Sequence, residues 1–465
     1  MAAGDAVTSP QAAWRGDLGA DAAPDWIFYG YLLLVGLEWT GLPNDIGVLR
    51  AARVTTLLAY TLFAATLLKG GGRLFGERQI VLLGGFVVWT VVSLAWAYIT
   101  QYAFNAIRPL FDYMVFAVLT AYVIDRRARV DKLALLLGFV AMYLVARNFE
   151  KLGSTRQGGF EAPYFLGDGN DFAWGLNIIL PLGLWLMIGR DRNVVIRVFG
   201  AISIAACLIG NIGTASRGGT IGLAALLLYG WWFVARRRAL GVAAVAVVIV
   251  GVIAVAPSSY FSRMSTISDY EEDNSAQARL QAWEAASRMA FVFPLGTGAG
   301  NFNTAYGRWF NPSRTGQGVS RVEWGSGRWI SPHSIYFRVI GEYGFGGFAL
   351  LLWLIASNIT TNNRSRMLLR SAPDGAPYDD RFPAVLNMSV IAFAVSGIFL
   401  GGFAYPHQFL LSGLVIGLKR TIESQMIVAS APAVAPTAPS ATRLRLGFGP
   451  PALRTPASLP SARRG

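Results

Sequence analysis

The strongest constraint on the fold is a series of apolar stretches that approach or reach the length of a membrane span. A bilayer core of about 30 Å requires about 20 helical residues. The predicted spans are residues 26–42, 53–69, 79–100, 105–124, 133–150, 171–189, 197–213, 218–235, 239–256, 334–357, 384–402 and 405–419. The composition, with 54% hydrophobic and 14% charged residues, excludes an ordinary soluble globular chain. We predict an all-α fold, a polytopic transmembrane helical bundle of about 12 spans.

The distribution of basic residues predicts the orientation of these spans. Alternate loops are rich in Lys and Arg, which collect in cytoplasmic loops; they read "KGGGRLFGERQ", "DRRARVDK", "GRDRNVVIR", "ARRR" and "NRSRMLLR". Both termini are therefore expected in the cytoplasm. The predicted organisation is a flexible N-terminus (1–25), spans 1–9 (26–256), one large extracytoplasmic loop containing helices (257–333), spans 10–12 (334–420) and a disordered cytoplasmic tail (421–465).

Charge and metal-ligating residues limit the possible partners. The formal net charge of +14 is accounted for by the positive-inside rule and an arginine-bearing tail, so we expect membrane lipids and no nucleic acid as partners. Cys207 is the only cysteine and lies in a span, and there are two histidines. A disulfide, a thiolate cluster and a metal site are therefore not expected, and no cofactor is predicted.

The large loop contains the main candidate ligand-binding arginines. The stretch "SAQARLQAWEAASRMAFVF" from Ser275 predicts a helix with an apolar stripe, formed by Leu280, Trp283, Ala286 and either Met289 or Ala290. Arg288 has Glu284 four residues earlier as an ion-pair partner. Arg279 has no acid three or four residues away, so it is the stronger candidate for ligand binding unless the acidic run 269–273 folds back on it. A solvated helix face is the alternative for both arginines.

A glycine-rich segment follows this helix, reading "FPLGTGAGNFNTAYGRW". Its GxGxG spacing resembles a nucleotide-binding loop, but no strand precedes it and no helix opens at its glycines. We predict instead a turn that returns the chain to the membrane face.

Two further candidates lie where the predicted topology places the outer ends of spans. Arg217 precedes Gly218 and Gly219 at a predicted helix N-terminus, which suits a phosphate group, although such an arginine can also snorkel to the interface. His333 lies where the loop meets the tenth span; an interfacial hydrogen-bonding role is the alternative. His407, at another outer boundary, is a weaker candidate for the same cavity, or else part of an interfacial turn.

Three segments resemble the O-antigen ligase and polymerase superfamily of bacterial envelope glycosyltransferases. They are "TASRGGTIGLAAL" from Thr214, "SAQARLQAWEAASRMAFVFPLGTGAGNF" from Ser275 and "PHSIYFRVIGEYGFGGFALLL" from Pro332. The likeness extends over roughly residues 30 to 420. The stretches "YEEDNSAQARLQAW" and "GDGNDFAWGLNIILPL" look most like the O-glycosylation ligases associated with exosortase A.

The resemblance implies an enzyme, a metal-independent inverting glycosyltransferase. It would transfer a glycan from undecaprenyl diphosphate to a lipid, protein or glycan hydroxyl, at the periplasmic face of the bacterial inner membrane. Carried over to this sequence, the catalytic residues are Arg217, Arg279 and His333. The expected diphosphate- and glycan-binding residues are Arg217, Arg279, Arg288, Arg156, Tyr336 and His407. Many relatives have Asn after the histidine where this chain has Ser334.

The chemistry fits these residue types, and two alternatives stay open. Arginines stabilise charge that develops on a departing diphosphate, and a neutral imidazole can accept the proton of an acceptor hydroxyl. The acceptor can be lipopolysaccharide core, protein or another glycan chain, and the last would make the enzyme a polymerase. A lipid-glycan transporter is less favoured, because its charged sites are expected near the bilayer midplane in two matched halves.

Overall fold

A computed structural model describes residues 22–153, 159–256, 260–261, 264, 274–310, 331–371 and 378–430. All regular secondary structure in these segments is helical, which confirms the all-α prediction. The α-helices are α1 (Asp25–Thr40), α2 (Leu42–Asp45), α3 (Gly47–Ala51), α4 (Val54–Leu68), α5 (Arg78–Val92), α6 (Thr100–Val123), α7 (Arg127–Arg147), α8 (Gly169–Ile188), α9 (Val194–Gly213), α10 (Arg217–Tyr229), α11 (Arg238–Val255), α12 (Asn274–Val292), α13 (Phe302–Ala305), α14 (Ile335–Ser371), α15 (Arg381–Ser396) and α16 (Pro406–Ser430).

Every predicted span falls on one of these helices. In the described part of the chain, five helices are long and apolar enough to cross a membrane: α5 with its continuation to Ala95, α6, α8, α9 and α14. Three shorter apolar helices lie at Val54–Leu68, Arg238–Ala254 and Arg381–Ser396. The chain is a multi-pass membrane protein, and the number of twelve spans stays a prediction.

Two helices extend well beyond their predicted spans. α14 continues to Ser371 rather than ending near residue 357, and α16 continues to Ser430, past the expected start of the tail at 421. Arg, Met, Leu and Gln favour helix outside the bilayer as well, so hydropathy marks the apolar part of a helix and not its ends. Residues 1–21 and 431–465 lie outside the described residues, and their predicted disorder stays a prediction.

α8 is the most deeply buried of the candidate spans and holds α10 in place. The Trp174 ring stacks on Phe393 of α15 with centroids 5.1 Å apart. The Asn177 side-chain amide donates to the Gly219 carbonyl oxygen of α10 at 2.8 Å. Polar bonds of this kind join helices in an apolar medium. A Cβ at Gly219 would lie 2.5 Å from that of Ala173, so glycine is required for this close approach.

The predicted loop helix exists as α12, and Ala286 and Met289 of its predicted apolar stripe are buried, so only Leu280 departs from the prediction. Ala282, Ala286 and Met289 are buried against the α14 side, whereas Leu280 is 42% exposed. Small alanine side chains let α12 lie close to α14. The buried face thus keeps the C-terminal part of the predicted stripe and adds Ala282, while Leu280 at its N-terminal end stays exposed.

The glycine-rich segment forms the predicted turn. Gly296, Gly298 and Gly300 have φ values of +88°, +92° and +71°, a backbone region that favours glycine. The Gly298 amide donates to the Glu342 carbonyl oxygen at 3.0 Å, and the Gly300 amide donates to the Glu342 carboxylate at 2.9 Å. The turn is thereby fixed to α14.

The turn fits at a kink in α14. Gly344 has non-helical angles, φ 64° and ψ −163°, and the Phe345 amide donates to the Pro294 carbonyl oxygen at 3.0 Å. Backbone groups that the kink frees from the helix therefore find partners in the turn.

Candidate functional site

His333 lies just before α14 in a strained backbone conformation. Its φ is +41°, in the left-handed region that non-glycine residues rarely adopt. Hydrogen bonds fix the chain on both sides: the Trp283 indole donates to the Pro332 carbonyl oxygen at 2.7 Å, and the Ile335 amide donates to the Gly397 carbonyl oxygen at 2.9 Å. Backbone strain held in this way is typical of functional positions.

The surroundings of His333 favour a neutral imidazole. The side chain is accessible, yet protein lies on several sides of it. The resulting partial desolvation lowers its pKa, and the positive charges of Arg279 and Arg338 lower it further, while Asp168 acts in the opposite direction. A neutral imidazole can accept a proton at neutral pH, as a general base must.

Arg338 is a neighbour of His333 that was not among the candidate residues predicted from the sequence. It lies in the first turn of α14 and donates from Nη2 to the Ser331 hydroxyl at 3.0 Å. Its Nε is buried and has no hydrogen-bond partner among the described residues. An ionisable residue in the apolar run "SIYFRVIGEYG" was the available signal, since such residues in predicted spans often have a function.

Helix N-termini meet beside these side chains. Asp168 caps α8 by accepting from the Asn170 amide at 2.7 Å. Ser216 caps α10 by accepting from the Gly219 amide at 3.0 Å, and its hydroxyl bonds the Asn170 side-chain oxygen at 2.8 Å. α14 begins two residues after His333. Each of these N-termini carries a partial positive charge that favours an anion.

Arg217 belongs to the same region through its helix. It is the first residue of α10 and is half-buried. A Cβ on Gly218 would lie 2.8 Å from Cβ of Phe399, and the Phe399 ring is 6.3 Å from that of Trp283. Because Trp283 also binds Pro332, Phe399 and Trp283 link the start of α10 to the His333 segment.

Comparison with known proteins finds a family model that matches part of the chain. Residues 201–352 match the family model described as O-antigen ligase, Wzy_C. This segment, about a third of the chain, is similar to an O-antigen ligase domain. A search of curated proteins finds no match. The predicted superfamily is therefore confirmed, whereas the closer likeness to exosortase-associated ligases stays a prediction.

The domain match supports a glycan-transferring activity, ligase or polymerase, with lipid-linked glycan and acceptor substrates in general. It favours this class over the transporter alternative. The matched segment includes His333, Arg217, Arg279 and Arg338, the residues that the structure places in one region.

Other predicted binding residues differ in their placement. Arg288, also within the matched segment, is 62% exposed and pairs with Glu284 at 2.5 Å, as the spacing predicted. The Tyr336 hydroxyl donates to the Ala394 carbonyl oxygen at 2.8 Å, so this bond orients it toward α15. Arg156 and the acidic run 269–273 lie outside the described residues. The binding roles of Arg288, Tyr336 and Arg156 stay predictions.

His407 lies outside the segment that matches the O-antigen ligase model and is enclosed by aromatic rings. It is fully buried, with ring centroids of Trp39, Phe165 and Trp174 between 5.2 and 5.6 Å away. Neither of its ring nitrogens has a hydrogen-bond partner in the described part of the chain. This placement suits packing beneath the site, and contact with a substrate stays a prediction.

Proposed function

We propose that this protein transfers a glycan from undecaprenyl diphosphate to an acceptor hydroxyl, as an O-antigen ligase, at the outer face of the bacterial inner membrane. The observation that carries the proposal is the electrostatic environment of His333, with Arg279 and Arg338 beside it and Asp168 opposing them. The O-antigen ligase match supports the transferase class, and the basic loops support the orientation.

In the proposed reaction, the His333 imidazole accepts the proton of the acceptor hydroxyl. The acceptor oxygen forms a bond to the anomeric carbon as the bond from that carbon to the diphosphate oxygen breaks. The bonding electron pair leaves with the diphosphate. Attack from the face opposite the leaving group inverts the anomeric configuration.

The arginines act on the leaving group. Arg217, Arg279 and Arg338 supply positive charge where negative charge grows on the departing diphosphate, and they stabilise the transition state more than the ground state. The N-termini of α8, α10 and α14 add partial positive charge from the backbone. The proposed mechanism requires no metal ion.

A reconstituted assay tests the proposal. The full chain in lipid nanodiscs would be incubated with a synthetic undecaprenyl-diphosphate glycan and with lipid, peptide or glycan acceptors, and the products identified by mass spectrometry. We expect transfer by the parent chain and a loss of at least about a hundredfold in His333→Ala and Arg217→Ala. Arg364→Ala, at an exposed position of α14 in the predicted cytoplasmic half, should keep full activity.

The product identifies the acceptor. Transfer to a second lipid-linked glycan would make the enzyme a polymerase, whereas transfer to lipid or peptide would make it a ligase. Full activity in both site variants would overturn the proposed mechanism, and no transfer to any acceptor by a folded parent chain would overturn the proposed function.

A further inference from the structure

A cavity lined by both polar and apolar side chains lies apart from His333, between α1, α4, α6 and the segment around Tyr164. Its volume is about 500 Å³. We call it the side pocket and define it by Glu38, Tyr60, Arg108, Asp112, Tyr113 and Tyr164. The predicted topology places Glu38, Tyr60, Arg108, Asp112 and Tyr113 in the outer halves of their helices and Tyr164 in an outer loop, on the same side of the membrane as His333.

The polar groups of the side pocket form a connected network. The Tyr113 hydroxyl lies 2.7 Å from the Tyr164 hydroxyl and donates to Glu38 Oε1 at 3.1 Å. The Tyr60 hydroxyl donates to Asp112, and Arg108 pairs with Asp112, four residues later on α6, at 3.4 Å. These contacts hold the side chains in place before a ligand enters.

The network leaves hydrogen-bond acceptors for a ligand. In the described part of the chain, the side chain of Glu38 is hydrogen-bonded through Oε1, and no described donor bonds its Oε2. An ionised carboxylate offers about four acceptor sites. Ligand hydroxyl groups can donate to these sites, and the tyrosine rings offer apolar faces for the C–H surface of a sugar.

The charge of the side pocket selects against phosphate. Arg108 is its one cation among the described lining residues, and it already pairs with Asp112. Glu38 adds either a negative charge or, if protonated, none. A phosphate would therefore meet no net positive charge, while an uncharged polyhydroxyl ligand meets acceptors without repulsion.

Two tyrosines connect the side pocket to the His333 region. The rings of Tyr164 and Tyr405 lie 5.8 Å apart. The Tyr405 hydroxyl donates to Asp171 at 2.9 Å, and the Asp171 carboxylate interacts electrostatically with Asp168 and Arg338. A glycan with one sugar near His333 can thus extend along these aromatic faces.

We propose that the side pocket binds an uncharged sugar unit of a substrate glycan. The binding itself is independent of the reaction, while the origin of the sugar, from the donor or from the acceptor, rests on the proposed transferase function. The shared chemistry is a set of sugar hydroxyl groups that donate to Glu38 and Asp112.

Binding of soluble sugars tests the proposal without turnover. The probes are the methyl glycosides of glucose, galactose and rhamnose, and N-acetylglucosamine, measured by saturation-transfer NMR on the full chain in nanodiscs. We expect at least one probe to bind and its affinity to fall about tenfold or more in Glu38→Gln and Asp112→Asn, because each change replaces an acceptor oxygen by an amide NH2 group that cannot accept a hydrogen bond from a sugar hydroxyl.

Two further variants separate pocket binding from folding and from catalysis. Ala59→Trp fills the side pocket from α4 without removing a polar group and should abolish binding. Glu150→Gln changes an exposed carboxylate on the same predicted side, and His333→Ala removes the proposed base; both should keep binding. Retained binding in an inactive His333→Ala variant would show that the side pocket binds sugar without turnover, and probe binding by a parent chain that transfers no glycan would support the side pocket while the proposed function fails.

Competition identifies the source of the sugar. In His333→Ala, displacement of the probe by the lipid-linked glycan indicates the donor, and displacement by the acceptor glycan indicates the acceptor; either result supports the side pocket. Inorganic phosphate should not displace the sugar probe. The proposal is overturned if no probe binds the parent chain, if the Glu38, Asp112 and Ala59 variants bind as well as the parent, or if phosphate competes.

Discussion

The Trp283 indole donates a hydrogen bond of 2.7 Å to the carbonyl oxygen of Pro332, the residue before His333. The same ring stacks on Phe337, four residues after His333, with centroids 4.9 Å apart and an interplanar angle of 12°. One side chain of α12 therefore contacts the chain on both sides of the candidate base and supports its strained backbone.

Replacing Trp283 by Phe should separate these two contacts. The aromatic stack is kept and the hydrogen bond is lost, a change of about 1 kcal/mol, so His333 should leave its productive position more often. We expect kcat to fall about fivefold to tenfold with little change in the KM for the donor. Steady-state glycan transfer measures both constants. Trp353→Phe, at an exposed position of α14, is the control, and an unchanged kcat in Trp283→Phe would contradict the role of the bond.

Arg338 should be as important as the arginines that the sequence indicated. Arg338→Gln removes a cation from the proposed leaving-group site and should lower kcat/KM about a hundredfold. Arg338→Lys retains the charge but loses the planar guanidinium and should retain part of the activity. The same transfer assay applies, with Arg364→Gln as the matched change elsewhere on α14. Equal activity in parent and Arg338→Gln would remove Arg338 from the mechanism.

The pH profile should report on His333. A general base acts when it is neutral, so kcat/KM should fall as pH drops through the His333 pKa, which lies below its ordinary value because of partial desolvation, Arg279 and Arg338. Removing the positive charge in Arg279→Gln or Arg338→Gln raises this pKa and should move the acidic limb to higher pH.

Asp168 provides the opposite test of the same titration. Its negative charge raises the His333 pKa, so Asp168→Asn should move the acidic limb to lower pH while the asparagine still caps α8. Profiles of kcat/KM for the three variants give the comparison. Shifts in the same direction for Asp168→Asn and Arg338→Gln would show that another group controls the limb.

The glycine turn should be sensitive to a single methyl group. Gly298 has a φ of +92°, and a Cβ there would lie 2.6 Å from Cα of Ala97. Gly298→Ala should therefore lower the free energy of unfolding by more than about 1 kcal/mol. Gly251→Ala, on α11 with open space around it, should be neutral or slightly stabilising. Thermal unfolding in nanodiscs measures both, and equal melting temperatures would refute the steric argument.

Much of the helical fold was predictable because the bilayer imposes a length and a composition on each span. The ion pairs Glu284–Arg288 and Arg108–Asp112 were predictable because helical spacing alone brings their partners together. The ends of α14 and α16 were not, since helix formation continues after the apolar residues stop. The exposure of Leu280 was also missed, because packing of α12 depends on which face of α14 it meets.

The site was predictable only in part. His333, Arg217 and Arg279 follow from their motifs, and the structure places them in one region. Arg338 lies within an apolar run of the kind that usually indicates packing, and its role depends on the tertiary neighbours Ser331 and His333. The N-termini of α8 and α10 meet through the hydrogen bond between Asn170 and Ser216, which are 46 positions apart. No local sequence pattern indicates a contact over this separation.

The amide groups at the starts of α8, α10 and α14 do not titrate and are not specified by any one side chain. Attraction of an anion to this region is therefore a property of the fold, and it persists across acid and alkaline conditions in which His333 changes its charge. Side chains around the candidate site can consequently change without removing this partial positive charge from the helical framework.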